Sequence, residues 1–388
     1  MSDNVTPMHP KKKNLRKLIV RIVAAVCVLA LVAAVVVVAV RNDLTDFGAV
    51  RRYFRYRNAS DTETFGQYSY DAHNANRFAA YDEGLALASV GGLQLLDDYT
   101  GEIYSFHENI SSPKVLTAGE FALMYDVGGT RLVLAHATRG ELLSQKAAEP
   151  VLDANLTSTG AVCYIASEGN YKAVIPVYNA DQQQIYTWYS ASAYFNQVAL
   201  SPDAKTLAAV SIGQTGAVFG SSLVILHTDS TEIQATASLG DTLVYELDFL
   251  SDNTLCAWTE NGLVFFTEEA AERGRYEPGA QIEKADLNGS GFAALWLQSD
   301  LAGEEGFVVT IGADGTEKGR LAFEEQILDL SVCGGYVTVL TAQRLCVFDE
   351  AMQLYAETDV TYGATRALQR ADGSVVLTAS SNAVLYLP

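Results

Sequence analysis

The sequence lacks the short motifs that mark common catalytic and metal sites. Its 388 residues contain no H-E-x-x-H, G-x-S-x-G, G-x-x-x-x-G-K-[ST] or G-x-G-x-x-G motif. The five histidines are scattered along the chain: His9, His73, His107, His136 and His227. Asp286–Gly291 has the acidic start of a calcium loop, but Leu297 stands where the bidentate glutamate is required, which favours a hairpin turn. No catalytic residue, metal ligand or cofactor is predicted, and the chain is not expected to be an enzyme.

Cysteine is scarce, with five residues and no C-x-x-C pair. Cys163, Cys256 and Cys346 lie inside apolar strand-like runs, and Cys333 precedes a Gly-Gly pair. These residues are interpreted as small buried hydrophobes. A disulfide between two of the strand cysteines is the alternative.

Positive charge is rare outside the N-terminus. Residues 1–41 hold seven basic residues and one acidic residue, which leaves 19 basic and 45 acidic residues for residues 42–388, a balance of −26. Such an acidic surface repels phosphate backbones. Nucleic acid is therefore excluded as an expected partner.

The one long apolar segment is Leu18–Val40, 23 residues with Arg21 as its only charge. At about 1.5 Å per residue a helix of this length reaches ~35 Å, enough to cross the ~30 Å hydrocarbon layer. A cleaved secretory signal is the alternative. The segment is longer than the usual apolar region of about 7 to 15 residues, and Ala39-Val40-Arg41 does not have small residues at both positions of an A-x-A cleavage site. An uncleaved transmembrane helix over residues 18–40 is predicted, with the lipid bilayer as a partner.

Basic residues on the two sides of this segment predict its orientation. A dense basic cluster precedes the segment, and a second, more distant group follows it: Lys11, Lys12, Lys13, Arg16 and Lys17, then Arg51, Arg52, Arg55 and Arg57. The nearer cluster predicts that residues 1–17 are a cytoplasmic tip and that the C-terminal domain is extracytoplasmic. Residues 41–64 are then a juxtamembrane linker. Its segment Arg51–Arg57 suits an anionic membrane interface or wall polymer, and a plain helix or tether is the alternative.

The rest of the chain repeats one unit eight times, at intervals of 37 to 48 residues. Each copy has two short apolar strands separated by a break, as in Leu85–Val90 with Leu93–Leu96. The period is that of a four-stranded propeller blade, and no run has helical spacing. Strands such as Leu207–Val210 are apolar throughout, which indicates burial on both faces. An all-β, eight-bladed β-propeller is predicted, with seven blades as the alternative.

The last copy ends at Pro388, directly after its second apolar strand. The strand-like segment Gly66–Tyr70 precedes the first copy and has no other partner in the pattern. Pairing of Gly66–Tyr70 with Val384–Leu387 would close the ring and remove two exposed edges. The propeller domain is accordingly predicted over residues 65–388.

Two repeat motifs support a family resemblance. Leu200–Ala208 resembles the S-P-D-G-x-x-L-A hairpin of WD-type and quinoprotein-like propellers, and Leu96–Glu102 resembles their D-x-x-T-G-x turn. The layout over residues 11–388 resembles an uncharacterised family of membrane-anchored propeller proteins from clostridia and related Gram-positive bacteria. The G-H and W-D dipeptides of true WD repeats and the tryptophan docking motifs of quinoprotein enzymes are absent.

The fold indicates where a partner would bind. Loops between the two apolar strands of a copy and loops between copies emerge on one face. Two of the former are long, Ser211–Ser222 and Gln298–Gly306. The residues predicted to form a partner-binding face are Phe219, Tyr194, Phe195, Tyr362, Asp300, Glu304 and Glu305. The alternative interpretation of Tyr194 and Phe195 is that they pack between blades.

The predicted function is a membrane-tethered, extracytoplasmic, non-catalytic module of the cell envelope that binds a protein, peptide or glycan. The alternative is an envelope hydrolase or lyase that acts on peptide or glycan in the propeller channel. Acidic residues converging on the channel would favour the alternative. A channel plugged by apolar side chains and a broad aromatic patch would favour the interaction module.

Overall fold

The computed structural model describes residues 56, 64–82, 84–98, 101–215, 218–250, 253–298 and 306–388. All of them belong to one unit, Tyr56–Pro388. The predicted transmembrane segment Leu18–Val40 and the nine basic residues around it lie outside the described residues. Within the described ranges, no helix has the length and apolar character needed to cross a bilayer.

The described residues form eight four-stranded antiparallel sheets, the blades of a propeller. The strands of each blade, in order from the channel outward, are as follows. Blade 1 is β2 (Arg77–Tyr81), β3 (Gly84–Ser89), β4 (Gly92–Asp97) and β5 (Glu102–His107); blade 2 is β6 (Pro113–Ala118), β7 (Phe121–Asp126), β8 (Arg131–His136) and β9 (Gly140–Lys146); blade 3 is β10 (Asp153–Leu156), β11 (Val162–Glu168), β12 (Tyr171–Tyr178) and β13 (Gln184–Ser190); blade 4 is β14 (Tyr194–Leu200), β15 (Thr206–Thr215), β16 (Val218–His227) and β17 (Ile233–Gly240). Blade 5 is β18 (Val244–Phe249), β19 (Leu255–Thr259), β20 (Gly262–Phe266) and β21 (Glu272–Tyr276); blade 6 is β22 (Gln281–Asp286), β23 (Phe292–Gln298), β24 (Gly306–Gly312) and β25 (Glu317–Phe323); blade 7 is β26 (Ile327–Cys333), β27 (Tyr336–Thr341), β28 (Leu345–Asp349) and β29 (Leu354–Thr358); blade 8 is β30 (Arg366–Gln369), β31 (Val375–Thr378), β32 (Asn382–Tyr386) and β1 (Thr64–Ser69). The prediction of eight blades is confirmed.

The core lies between the blades rather than at one centre. Each of the eight apolar clusters joins two neighbouring blades; one packs Val210 and Leu223 of blade 4 against Leu247 and Leu255 of blade 5. The second and third strands therefore have two buried faces, as their continuous apolar sequences indicate. The four described cysteines, Cys163, Cys256, Cys333 and Cys346, are free.

The ring closes by pairing the first strand with the last. β1 runs antiparallel to β32, with Thr64 opposite Tyr386 and Tyr68 opposite Ala383. Blade 8 thus takes three strands from the C-terminus and its outer strand from the N-terminus. This pairing gives blade 8 the same four strands as the other blades, so the edge of β32 is covered by β1.

A buried polar cluster lies at this closure, between blades 8 and 1. The Arg370 guanidinium follows β30 and forms an ion pair with Asp98 at 2.8 Å, with both side chains almost inaccessible to solvent. Arg370 Nη2 also donates to the Gly84 carbonyl oxygen at 2.8 Å. Tyr56 is itself buried, and its hydroxyl donates to the Asp98 carboxylate. Tyr56 is therefore attached to the ring at this closure.

The strand directions define two faces. On the upper face lie the loops between the second and third strands of a blade and the loops between blades. On the lower face lie the loops between first and second and between third and fourth strands, including the turns that hold Asp98 and Arg370. The chain begins β1 at the lower face, so Tyr56 and the upper-face loops lie on opposite sides of the ring.

The expectation of a long loop over Ser211–Ser222 is wrong. β15 and β16 are ten residues each and stay paired as far as Thr215 opposite Val218. The glycines and serines of this segment resemble a loop in sequence, but strand pairing uses backbone groups and does not require apolar side chains outside the core. Blade 4 therefore carries a β-hairpin that projects from the upper face.

Candidate functional site

An exposed aromatic surface lies on the upper face of blades 3, 4 and 5. We call it the aromatic arc, and it consists of Leu152, Tyr171, Tyr189, Tyr194, Phe219, Leu243 and Tyr245, all of them exposed. Phe219 and Tyr194 have exposed fractions of 61% and 60%, the largest in this set. Single exposed apolar residues are common, but seven of them at the upper ends of three consecutive blades mark a candidate interaction surface. The arc is the candidate site.

Local packing holds several of these rings in place. The Tyr171 and Tyr189 rings lie 4.8 Å apart between centroids, and the Tyr245 ring lies 5.3 Å from that of Trp258 beneath it. Lys172 places its ammonium group 4.9 Å from the centre of the Tyr194 ring. Ordered rings lose little conformational freedom when a partner binds.

Tyr194 and Phe195, predicted as a pair, lie in different environments. Phe195 is only 3% exposed and contacts Trp188 edge to face at 5.1 Å between blades 3 and 4. Successive residues of a strand point to opposite sides, so only Tyr194 reaches the surface. Phe195 therefore does not belong to the arc. It packs between blades 3 and 4, as the alternative interpretation of the sequence predicts.

Of the other residues predicted for the partner-binding face, only Phe219 belongs to the arc. Phe219 lies on the projecting hairpin opposite Gln214 and belongs to the arc. Tyr362 is exposed, but it lies in the loop between blades 7 and 8, far around the ring from blade 4. Asp300, Glu304 and Glu305 lie outside the described residues.

Sequence reasoning missed most of the arc. Tyr171 follows the Gly169-Asn170 turn, Tyr189 precedes the turn into blade 4, and Tyr245 begins blade 5. Their position beside upper-face turns was the available signal. That signal predicts on which face of the propeller each residue lies. It does not predict that the exposed rings occur on three consecutive blades.

Carboxylates surround the aromatic arc. Glu149, Glu168, Asp241 and Glu260 are exposed on the upper face of the same region. None of the four forms an ion pair with another described residue. The arc therefore combines aromatic rings with negative charge that is not neutralised by neighbouring residues.

The central channel is the second candidate region. It has a volume of about 570 Å³ and is lined by the inner strand of every blade. Its charged side chains are of both signs: Asp82, Lys114, Asp153, Glu246, Asp248, Lys284, Asp286, Asp329, Arg366 and Arg370. The acidic residues that would favour a hydrolase are thus present in the channel.

Three of these carboxylates link neighbouring blades. Asp153 Oδ2 accepts from the Val198 N–H at 3.1 Å, Asp286 Oδ2 from Val332 at 2.9 Å, and Asp329 Oδ2 from Ala367 at 3.0 Å. In each case an inner-strand side chain binds the inner-strand backbone of the next blade. The other Asp286 oxygen accepts from the Asn288 N–H at 3.0 Å, consistent with a turn. These acids are part of the scaffold.

Burial raises the pKa of Glu246 and Asp248 of β18, as it does that of Asp286. Burial, followed by repulsion from Asp286 and Asp248, raises the pKa of Glu246 to about 8. Burial also raises the pKa of Asp248 to about 6, although the Phe249 N–H and the Asn155 amide lower it. Across the described ranges, no three histidine, cysteine or acidic side chains are grouped so as to hold a metal ion.

Comparison with known proteins gives a family for the chain. A model described as "Family of unknown function (DUF5711)" matches residues 52–380. The chain belongs to this family. No curated protein matches it. The family description assigns no activity, so the function has to be argued from the surface and the channel.

Solved structures share the propeller architecture of this family member. The C-terminal WD40 domain of Sif2 superimposes with a TM-score of 0.56 at 11% identity, covering 83% of this chain and 95% of that one. BamB from Moraxella catarrhalis superimposes with a TM-score of 0.51 at 16% identity, covering 84% and 99%. At these identities the likeness concerns the fold alone.

Proposed function

We propose that this chain is a non-catalytic interaction module of the cell envelope, anchored in the membrane by residues 18–40, whose aromatic arc binds a partner. The observation that carries the proposal is the group of exposed rings on three consecutive blades. Upper-face loops of a propeller are free to vary without disturbing the inter-blade core, so they are suited to recognition. The arc is also on the face opposite to the closure where Tyr56 contacts Asp98.

The proposed anchor rests on sequence. The span has the length of a transmembrane helix, and the lysine-rich cluster before it places the N-terminus in the cytoplasm. The propeller is then extracytoplasmic, and Tyr56, the described residue nearest to the span in sequence, contacts the lower face of the ring. The single-span layout is the one found in the clostridial propeller family that the sequence resembles.

A hydrolase or lyase is the second candidate, favoured by the Glu246 carboxyl. A group with a pKa of about 8 is mostly protonated at neutral pH and can act as a general acid. Asp248, with a pKa of about 6, would supply the ionised partner. The interaction module remains the better-supported function because the channel acids with assigned contacts hold the blades together.

The proposal is tested by site-specific crosslinking of the full chain in its native membrane. A photo-reactive phenylalanine derivative replaces Phe219 in the arc or, as the matched control, Leu354, which is 54% exposed on the rim of blade 7. We expect a crosslinked protein from position 219 only, and its loss when Tyr194 and Tyr245 are both changed to alanine. Equal products from both positions, or products insensitive to the double change, would contradict a partner site on the arc.

Orientation is tested in the same membranes with alkaline phosphatase fused after Pro388. The fusion should be active, because this enzyme matures only outside the cytoplasm. An inactive but fully expressed fusion contradicts the extracytoplasmic location.

A further inference from the structure

We infer that the partner presents a basic peptide segment to the aromatic arc, with lysine or arginine side chains placed over its rings and against its carboxylates. This inference rests on the proposed function, since it names the chemistry of the partner at that site. Three features of the upper face support it: its charge, its existing lysine contact and its shape.

Negative charge dominates the upper-face loops. The described loops on this face contain nine acidic residues and one basic residue, Arg344; the acids are Asp71, Glu108, Glu149, Asp241, Glu260, Glu277, Glu324, Glu325 and Asp359. Three of the nine acids are already in ion pairs: Glu325 with Arg344 at 3.1 Å, Glu108 with Arg131 at 2.8 Å and Glu277 with Arg275 at 3.2 Å. Arg344 also pairs with Glu357 at 3.3 Å, so it is already occupied. A cationic partner segment would meet complementary charge on this face, and an acidic one would be repelled.

The arc already holds one cation in the manner proposed for the partner. Lys172 lies over the Tyr194 ring, while its ammonium group also donates to the Ser192 carbonyl oxygen at 3.0 Å. The face of an aromatic ring attracts a cation through its quadrupole. Tyr245 and Phe219 present further exposed rings, and Asp241 and Glu260 lie in the loops next to Tyr245 and Trp258. Rings and carboxylates thus occur together, as a lysine or arginine side chain requires.

The shape favours a peptide over a globular surface. β14 pairs with β15 only as far as Tyr194 opposite Ile212, and β17 with β16 only as far as Gly240 opposite Ser221. The end of the β15–β16 hairpin therefore stands above the blades, beside Tyr194. A chain segment can lie along a raised hairpin and across the neighbouring rings, whereas a flat surface would be held away from them. A neutral glycan would stack on the rings but leave the carboxylates without a role.

The test compares two charge-matched triple variants of the full chain, reconstituted in zwitterionic lipid nanodiscs. The upper variant is Glu168→Gln, Asp241→Asn and Glu260→Gln. The lower variant is Asp229→Asn, Glu232→Gln and Glu269→Gln, three exposed residues of the opposite face. Both variants change the net charge equally. The probe is a fluorescein-labelled peptide of alternating arginine and leucine, with a glutamine-for-arginine peptide as its control.

We expect the arginine peptide to bind the wild-type chain more tightly than the glutamine peptide does. The upper variant should weaken its binding by about tenfold, since three exposed charge pairs are lost, and the lower variant by less than about twofold. Binding should also weaken as salt is added. Changing Tyr194 and Tyr245 to alanine should reduce affinity independently of salt.

Three outcomes overturn the inference. Equal weakening by both triple variants would mean that net charge alone attracts the peptide. Absence of binding by the arginine peptide would remove the basic segment as the partner chemistry. Binding of a peptidoglycan-derived oligosaccharide to the arc in place of the peptide would change the partner class. In the last two cases the crosslink from position 219 still reports on the proposed function, so the two failures are distinguishable.

Discussion

Replacing Arg370 with methionine removes the cation that neutralises Asp98 at the ring closure. The two side chains are 2% and 1% exposed, and their charged groups are 2.8 Å apart. Methionine fills much of the same volume, so the main effect is to leave the buried Asp98 charge without its cation, with the Tyr56 hydroxyl still donating to it. Breaking a buried pair in this way costs about 3–5 kcal/mol. We expect a loss of this size in the free energy of unfolding.

The measurement is urea-induced unfolding of the full chain in detergent micelles, followed by tryptophan fluorescence. Two further variants make the reasoning refutable. The double change Asp98→Leu and Arg370→Met removes both charges, so it should cost less than Arg370→Met alone. Arg275→Met removes an exposed arginine paired with Glu272 at 3.0 Å, and should cost no more than about 1 kcal/mol. Two results would refute a coupled buried pair. One is a loss of unfolding free energy for Arg370→Met as small as that for Arg275→Met. The other is a loss for the double variant equal to the sum of the losses for Asp98→Leu and Arg370→Met.

Two further predictions concern blades 3 to 5. Phe195→Ala should lower the free energy of unfolding by about 3–5 kcal/mol because it leaves a cavity between blades, whereas Tyr194→Ala should change it by only ~0.5 kcal/mol; similar losses in a urea titration would contradict the different burial of the two neighbours. Glu246 has a folded pKa of about 8 against 4.5 in the unfolded chain, so the stability linked to its protonation is complete below pH 4.5 and is lost as the pH rises to about 8. Glu246→Gln should therefore raise stability relative to wild type at alkaline pH, and a pH-independent difference between the two chains would be inconsistent with the raised pKa produced by burial, Asp286 and Asp248.

Much of the ring was readable in the sequence because burial in a propeller is local and repeated. Leu85-Ala86-Leu87-Ala88 is apolar at every position, and the strand it forms has both faces covered by neighbouring blades. The segment before the first copy and the incomplete last copy together indicated how the ring closes. In contrast, the hairpin of blade 4 was mistaken for a loop, since its pairing depends on backbone groups that leave no apolar pattern.

The amino-acid sequence by itself determined the repeat, the strand type, the acidic character of the folded part and the residues available to close the ring. These properties follow from residues close together in the chain, or from composition. Only the tertiary structure decided that Tyr171, Tyr194, Phe219 and Tyr245 share one surface and that Phe195 does not. The physical reason is that the packing of blade against blade brings residues of different repeats together, and strand pairing decides which side of each strand faces a neighbouring blade. The partner site is a product of that arrangement, not of any single repeat.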